Sequence, residues 1–136
     1  MWFGYVTFGY VSNAIGRKPA YVGYLIAAAA LMLGYRATRS PLVLLALGPF
    51  VAFFATGYFS GFGTVTAEIY RTEIRATAQG FTYNTGRLAS ALAPFTVGSL
   101  AQTYGFRLAL SIAALAFLAA AVTWIWIPET KGRRLA

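Results

Sequence analysis

The side chains of this sequence that could do chemistry are few, and most of them are charged. Three are the carboxylates Glu68, Glu73 and Glu129, and eleven are Lys or Arg, whereas Cys and His are absent. Without Cys and His the chain lacks thiol nucleophiles, imidazole general bases, disulfides and the usual transition-metal ligands. We therefore expect no metal, no cofactor and no enzyme activity. The remaining polar side chains are suited to binding a solute.

Arg87 is the sharpest candidate for binding, because it lies inside a long apolar segment. It stands about ten residues into a predicted helix, roughly 15 Å along the axis. An Arg at the centre of a bilayer costs at least about 2.5–3.5 kcal/mol, so its guanidinium should be paired or hydrated. Three roles stay open: contact with an anionic substrate, pairing with an acid elsewhere, or extension towards the lipid headgroups. Tyr83 and Asn84 could hydrogen-bond to substrate or to neighbouring helices.

The composition is that of an all-α integral membrane protein. Of the 136 residues, 59% are hydrophobic and 10% are charged, whereas soluble domains average about 25% charged residues. The mean hydropathy is +0.64. A formal net charge of +8 would suggest nucleic acid in a soluble protein. Here the basic residues stand in short breaks between apolar runs, which indicates lipid headgroups and membrane topology instead.

The apolar runs predict half a membrane span followed by four full spans. The first run has only twelve apolar residues and reaches about 18 Å as a helix, short of a hydrocarbon core of about 30 Å. We interpret it as the last half of a span. Gly48-Pro49 and Pro94 should kink the spans that contain them. The predicted segments are the half span at 1–12, full spans at 19–35, 42–66, 78–100 and 106–127, and a polar tail at 128–136.

The charges between these spans predict the orientation in the cell membrane. Seven basic residues and all three acids fall on one side, and three basic residues fall on the other. By the positive-inside rule the richer side is cytoplasmic, which places the C-terminus there. The seven are Arg17, Lys18, Arg71, Arg75, Lys131, Arg133 and Arg134, and the three are Arg36, Arg39 and Arg107.

Polar residues concentrate in the two middle full spans. Thr56, Ser60 and Thr64 form one stripe at helical spacing, and Gly57 and Gly61 form a GxxxG surface that another helix can approach closely. Phe54, Tyr58 and Phe62 form an aromatic row with the same spacing. We expect the middle spans to border a cavity or an interface, shielded by the apolar spans on either side. The candidate cavity residues are Arg87, Asn84, Tyr83, Thr56, Ser60, Thr64 and Tyr58.

Three segments resemble motifs of the major facilitator superfamily. Residues 9–18 are similar to its GxxxDRxGRR/K loop between helices eight and nine, with Gly9, Asn13, Gly16 and Arg17 at the matching positions. Residues 68–75 resemble the E-x-[FY]-P-T-x-x-R segment between helices ten and eleven. The GFTYNTGR run at 80–87 resembles the GxxYNxxR continuation found in metabolite:proton symporters. PETKG at 128–132 resembles the segment after helix twelve of sugar porters.

The resemblance implies a partial C-terminal six-helix bundle, from the end of helix eight to the end of helix twelve. It implies alternating access between two such bundles, a small-molecule substrate, and protons as coupling ion. The coupling acid would then lie in a missing N-terminal bundle, since no acid falls within a span here. A charge network would close the cytoplasmic gate, and we expect the chain alone not to transport. The network residues are Arg17, Lys18, Glu68, Arg75 and Glu129.

The sequence also departs from the family pattern. Asn13 replaces the acid of the loop motif, Ala14 replaces a basic residue, and Arg71 stands where the family has Pro. The Pro and Trp that sugar porters have late in helix ten are absent, which favours organic acids or sugar-like metabolites over hexoses. Two alternatives stay open. One is an efflux antiporter of the same fold, and the other is a non-transporting role, either as a truncated gene product or as a small membrane scaffold that uses the Gly57/Gly61 face.

Overall fold

A computed structural model describes residues 2–131 of the chain as seven α-helices and one 3₁₀ helix, with no β-strand in that range. The end of the polar tail at 132–136, including Arg133 and Arg134, lies outside the described residues. The α-helices are α1 (Trp2–Ile15), α2 (Arg17–Ala37), α3 (Pro41–Gly57), α4 (Phe62–Ile69), α5 (Arg75–Ala91), α6 (Ala93–Tyr104) and α7 (Phe106–Thr123), and the 3₁₀ helix is Tyr58–Gly61.

Three helical segments of the described chain are long and apolar enough to cross a membrane. They are α2, α7, and the 29-residue segment Pro41–Ile69, in which α3, the 3₁₀ helix and α4 follow one another without a loop. The segment at 78–100 is divided between α5 and α6, which meet at Leu92, and neither helix reaches 18 residues. Pro94 lies in the first turn of α6, where its missing N–H is not needed. The fold is all-α, as the composition predicts.

The long segment Pro41–Ile69 changes from α-helical to 3₁₀ geometry at Tyr58–Gly61. α3 continues through Pro49 and ends at Gly57. In the 3₁₀ helix, Ser60 Oγ donates to the carbonyl oxygens of Gly57 at 3.0 Å and of Tyr5 in α1 at 3.1 Å. The tightened turn is therefore fastened to the neighbouring helix.

The Gly57/Gly61 face is occupied by other helices of the same chain. A Cβ atom on Gly57 would lie 3.0 Å from Gly4 O in α1 and 2.8 Å from Tyr24 Cε1 in α2. A Cβ atom on Gly4 would lie 2.8 Å from Phe53 O. The backbones of α1 and α3 are thus in direct contact, as small residues allow. This face is not available as a scaffold for a second protein.

An aromatic cluster forms the core between α1, α2 and the 3₁₀ region. Phe8 is fully buried and makes edge-to-face contacts with Tyr21 and Tyr24, at centroid distances of 4.8 and 5.0 Å. Tyr21 and Tyr24 retain only 3% and 6% exposure. Tyrosine is common at membrane interfaces. The rings of Tyr21 and Tyr24 pack against the GxxxG surface, where the glycines leave room for them.

Helices α5 and α6 lie at the edge of this bundle and contain no buried residue. α5 packs on α4, and α6 packs on α7. Gln79 Nε2 joins α5 to α4 by donating to Gly63 O at 2.9 Å and to Thr66 Oγ1 at 3.0 Å. Phe81, Leu88 and Phe95 on these helices are largely exposed. The exposed surface of α5 and α6 therefore includes large apolar side chains, which lipid or another helical bundle would cover.

Candidate solute cavity and charge cluster

Glu129, which follows α7, caps the N-terminus of α2. Its carboxylate accepts hydrogen bonds from the backbone N–H groups of Arg17 at 2.9 Å and Lys18 at 3.1 Å. It also accepts from the N–H groups of Thr130 at 3.1 Å and Lys131 at 3.0 Å. The first N–H groups of a helix have no partner within the helix and form its positive end, which favours a carboxylate there. Gly16, the residue before α2, has no side chain to supply a cap.

Gly16 makes this contact possible in two ways. Its φ of 113° lies in a region that residues with a side chain rarely adopt. A Cβ atom at this position would also lie 2.8 Å from Glu129 Oε2. A glycine is therefore required both for the turn between α1 and α2 and for the approach of the carboxylate.

Arg17 connects three segments through its guanidinium group. Nη2 pairs with Glu68 Oε1 of α4 at 3.1 Å, and both side chains are largely buried, with 14% and 12% exposure. Nη1 donates to Ser12 Oγ at 2.9 Å and to Asn13 Oδ1 at 2.7 Å in α1. Although Asn13 replaces the acid of the loop motif, its amide oxygen still accepts a hydrogen bond from Arg17.

Thr130 completes the group of side chains around Glu68. It retains 1% exposure, and its hydroxyl donates to Glu68 Oε2 at 2.5 Å. Both carboxylate oxygens of Glu68 are thus bound, one by Arg17 and the other by Thr130. We call Arg17, Glu68, Glu129 and Thr130 the charge cluster. Thr130 lies within the PETKG segment but was not predicted as a site residue, and nothing in the sequence marked Ser12.

Two lysines attach neighbouring segments to the charge cluster through backbone carbonyls. Lys18 Nζ donates to Ile125 O at 2.7 Å, and Lys131 Nζ donates to Ala14 O at 2.6 Å. The first bond joins α2 to the end of α7, and the second joins the tail to the end of α1. Lys18, predicted as a member of the charge network, thus contributes to the same assembly.

Arg75, also predicted in this network, contacts the loop that precedes α5. Its Nε donates to Tyr70 O and its Nη2 to Thr72 Oγ1, both at 3.3 Å. In the same loop Arg71 pairs with Glu73 at 3.1 Å, with both side chains more than 70% exposed. An exposed pair of this kind contributes less than about 1 kcal/mol. Arg75 thus binds the loop between α4 and α5, and Arg17, Glu68 and Glu129 lie together in the charge cluster.

The four N–H donors around Glu129 also affect its protonation. Partial burial alone raises the pKa of its carboxyl, but the backbone hydrogen bonds from Lys131, Arg17, Lys18 and Thr130 outweigh that effect. The pKa of Glu129 is consequently below its ordinary value. The carboxylate is ionised at neutral pH.

A cavity of about 510 Å³ lies between α2, the 3₁₀ helix and α4, α5 and α7. Three predicted cavity residues line it: Arg87, Tyr83 and Tyr58. Its remaining wall is mainly aromatic and apolar, with a few small polar groups. Other lining residues are Tyr21, Phe59, Phe62, Thr82, Ser90 and Trp124. The cavity therefore combines one guanidinium group with aromatic surfaces.

Four other predicted cavity residues do not line this cavity. Thr56 Oγ1 donates to Ala52 O at 2.6 Å, and Asn84 Nδ2 donates to Gly80 O at 2.8 Å, both within their own helices. Ser60 is bonded to α1 and to its own helix, and Thr64 is exposed. Thr56, Asn84 and Ser60 therefore bind backbone carbonyls, which helical spacing alone does not reveal.

Tyr21 and Trp124 form a stacked pair in the cavity wall. Neither residue was predicted to belong to a binding site. Their ring centroids lie 3.9 Å apart, with an angle of 16° between the ring planes. In the sequence α2 is an apolar span, and no pattern pairs it with Trp124. The stacking joins the start of α2 to the end of α7, an arrangement that depends on tertiary packing.

Comparison with known protein families agrees with this architecture. The sequence model of the Major Facilitator Superfamily matches residues 1–136. The chain belongs to this superfamily. The resemblance of its three motifs is thereby confirmed, and the structure brings parts of all three, from the α1–α2 loop, α4 and the tail, into the charge cluster.

Several curated proteins are similar to the chain over nearly its whole length. A putative metabolite transport protein of Haemophilus influenzae is 35% identical over 136 residues, covering 99% of the chain and 33% of the relative. A probable 4-methylmuconolactone transporter of Cupriavidus pinatubonensis is 32% identical over 131 residues, covering 95% of the chain and 31% of the relative. A putative niacin/nicotinamide transporter of Bacillus subtilis is 34% identical over 134 residues, covering 97% of the chain and 34% of the relative.

The chain therefore spans about a third of the length of the curated relatives it matches. These relatives are named as transporters of small organic compounds. No solved structure matches the chain significantly.

Proposed function

We propose that this chain forms part of a secondary active transporter of small organic solutes in the cell membrane. It would be a multi-pass protein with the charge cluster and the C-terminal tail on the cytoplasmic side. Membership of the superfamily and the transporter names of the relatives support this proposal. The distribution of Lys and Arg between the predicted spans supports the orientation.

The cavity that contains Arg87 is the observation that supports this proposal most directly. A volume of about 510 Å³ is within the range of small-molecule sites. A guanidinium group in a largely apolar wall favours a solute that has both a negative charge and an apolar body. Organic carboxylates have this combination, and niacin, named for one relative, is a pyridine carboxylate. We therefore propose small organic anions as the substrates and Arg87 as the residue that binds their charge.

The charge cluster is proposed as the inner gate of an alternating-access cycle. It joins the ends of α1, α2 and α4 to the tail through several hydrogen bonds, which would form in the outward-facing state and break when the inner side opens. Protons are proposed as the coupling ion, with the coupling acid in an N-terminal bundle. The exposed apolar surface of α5 and α6 would face that bundle or lipid.

Uptake of radiolabelled nicotinate by cells that express the complete open reading frame tests this proposal. We expect saturable uptake that stops when the proton gradient is dissipated. Arg87→Gln should abolish it, whereas Arg107→Gln at the start of α7, outside the cavity lining, should retain it. Equal uptake by wild type and Arg87→Gln would exclude the proposed anion contact. Reduced retention of preloaded nicotinate would indicate efflux, and no change in either direction would indicate a non-transporting protein.

A further inference from the structure

A crevice of about 240 Å³ lies between α2, α3 and α7, and it shares no lining residue with the cavity that contains Arg87. Each of its six lining residues is half-buried and keeps part of its surface accessible, so the crevice opens on the outside of the bundle. Its wall is almost wholly apolar, and a Cβ atom on Gly48 would meet nothing within 4 Å. The lining residues are Met32, Tyr35, Gly48, Val51, Ala52 and Leu110.

The crevice lies at the depth of one lipid leaflet. All three helices belong to segments that are long and apolar enough to cross a membrane. At a rise of about 1.5 Å per residue, the lining residues lie roughly 3–16 Å inside the helix ends that are opposite the charge cluster. One leaflet contributes about half of a hydrocarbon core of about 30 Å. The crevice thus has the depth and the apolar wall of a site for an acyl chain.

Three arginines stand at the mouth of the crevice. Arg36 follows Met32 by one turn on the same face of α2, and Arg107 precedes Leu110 by one turn on α7. Arg39 lies in the connection between α2 and α3. All three side chains are exposed, and none pairs with a carboxylate among residues 2–131, where all three acids are bound at the opposite end of the bundle.

The relative positions of the crevice and the arginines match those of the two parts of a phospholipid. The headgroup of a lipid lies outward of its acyl chains, and Arg36 and Arg107 lie one turn, about 5.4 Å, outward of the crevice. A guanidinium group binds a phosphate through paired N–H donors. Because three positive charges stand here without an acid, the mouth favours a headgroup with a net negative charge over a zwitterionic one.

We propose that the crevice binds one anionic phospholipid of the leaflet opposite the charge cluster. An acyl chain lies between α2, α3 and α7, and the phosphate contacts Arg36 and Arg107, with Arg39 beside them. The inference requires that the chain spans a membrane, but it does not depend on the transported solute. The lipid site and the solute cavity therefore can be tested separately.

Photo-crosslinking with a labelled lipid tests this proposal. The protein of the complete open reading frame is reconstituted in phosphatidylcholine nanodiscs with increasing fractions of phosphatidylglycerol that has a diazirine in one acyl chain. Mass spectrometry of peptides locates the labels, which we expect at the crevice residues. Excess unlabelled phosphatidylglycerol should displace them. Arg36→Gln or Arg107→Gln should raise the lipid fraction for half-maximal labelling at least about ten-fold, since each removes a charged hydrogen-bond donor.

Matched variants control for charge and for side-chain size. Arg71→Gln removes one exposed guanidinium group at the opposite end of the bundle and should label as wild type. Ala52→Leu fills the crevice and should exclude the acyl chain without a change in charge. Ala46→Leu, exposed on the same helix and outside the crevice lining, should label as wild type. The midpoint of thermal unfolding is measured for every variant. The arginine variants decide the result even if Ala52→Leu does not fold, because they change exposed side chains.

Three results would overturn the inference. Equal labelling of the crevice by a phosphatidylcholine probe, with no effect of the arginine variants, would show that any lipid chain fills it. Displacement of the label by soluble glycerol phosphate would show that the arginines bind a free anion. Labels outside the crevice, or wild-type labelling of a folded Ala52→Leu protein, would place the acyl chain elsewhere. None of these results affects the proposed transport function, which the uptake of nicotinate tests.

Discussion

Thr130 Oγ1 lies 2.5 Å from Glu68 Oε2, and Arg17 binds the other oxygen of the same carboxylate. A residue of the C-terminal tail and one at the start of α2 thus hold a single acid of α4 between them. Each donor leaves one oxygen for the other. The arrangement fixes the carboxylate in position and joins three distant parts of the sequence.

We expect Thr130→Val to destabilise the protein by about 1–3 kcal/mol, because it leaves a nearly buried carboxylate oxygen without its donor. Thr130→Ser keeps the hydroxyl and should restore most of that loss. Thr123→Val is the control, since the Thr123 hydroxyl donates only to carbonyls of its own helix. Thermal unfolding in detergent measures all three, and a Thr130→Val protein as stable as wild type would contradict the importance of this bond.

We expect Glu68→Gln, in the complete open reading frame, to reduce transport more than solute binding. The change removes the charge that pairs with Arg17 at 3.1 Å, while Glu68 lies outside the cavity lining. Arg75→Gln should also reduce transport more than solute binding, because Arg75 holds the loop before α5. Glu73→Gln, which breaks an exposed pair, is the control. Transport rates and equilibrium binding are compared for each variant, and unchanged transport in both Glu68→Gln and Arg75→Gln would exclude a gating role.

Gly16→Ala should destabilise the protein by at least about 1–2 kcal/mol, the cost of forcing a residue with a Cβ atom to positive φ. The added atom also displaces the Glu129 carboxylate from the start of α2. Gly9→Ala should not destabilise, because a Cβ atom there meets nothing within 4 Å. Thermal unfolding of the two variants provides the comparison, and equal midpoints would show that the turn tolerates a side chain.

Glu129 should make stability depend on pH on the acidic side. Its pKa is lower in the folded than in the unfolded protein, so the unfolded state binds more protons as the pH falls. The stabilisation is fully present above the pKa of an unfolded glutamate and is lost as the pH drops through the lowered folded pKa.

The measurement is the midpoint of thermal unfolding between about pH 7 and pH 3 for wild type and Glu129→Gln. The advantage of wild type should be greatest near neutrality and shrink towards acid. A constant difference between the two proteins across this range would show that the carboxylate does not stabilise the fold through its charge.

The sequence predicted those features of the fold that depend on composition and on local pattern. Apolar runs indicated an all-α membrane protein, and charged motif segments led to the expectation that Arg17, Glu68 and Glu129 meet. Arg87 and Tyr83 were placed in the cavity by their position in a polar helix. A charge in an apolar setting, such as that of Arg87, restricts the possible surroundings strongly. The meeting of Arg17, Glu68 and Glu129 was expected from the resemblance to the superfamily.

The features that were missed depend on contacts between distant segments. Nothing in the sequence distinguishes Tyr21 from the tyrosines that are common at membrane surfaces, and only the packing of Gly61 and Trp124 against it shows that it is buried. Thr56 was expected in the cavity, but a hydroxyl on a helix can bond to its own backbone without any change in the pattern. The division of the segment at 78–100 at Leu92 was not expected either, since Pro94 indicated only a kink.

Arg17 and Tyr21 lie on the same side of α2, one helical turn apart, which is about 6 Å along the axis. The first belongs to the charge cluster and the second to the cavity wall. Because so short a stretch of helix is stiff, a movement of α2 that displaced Arg17 from Glu68 would also displace Tyr21 in the cavity wall. We therefore expect the shape of the cavity and the contacts of the charge cluster to change together.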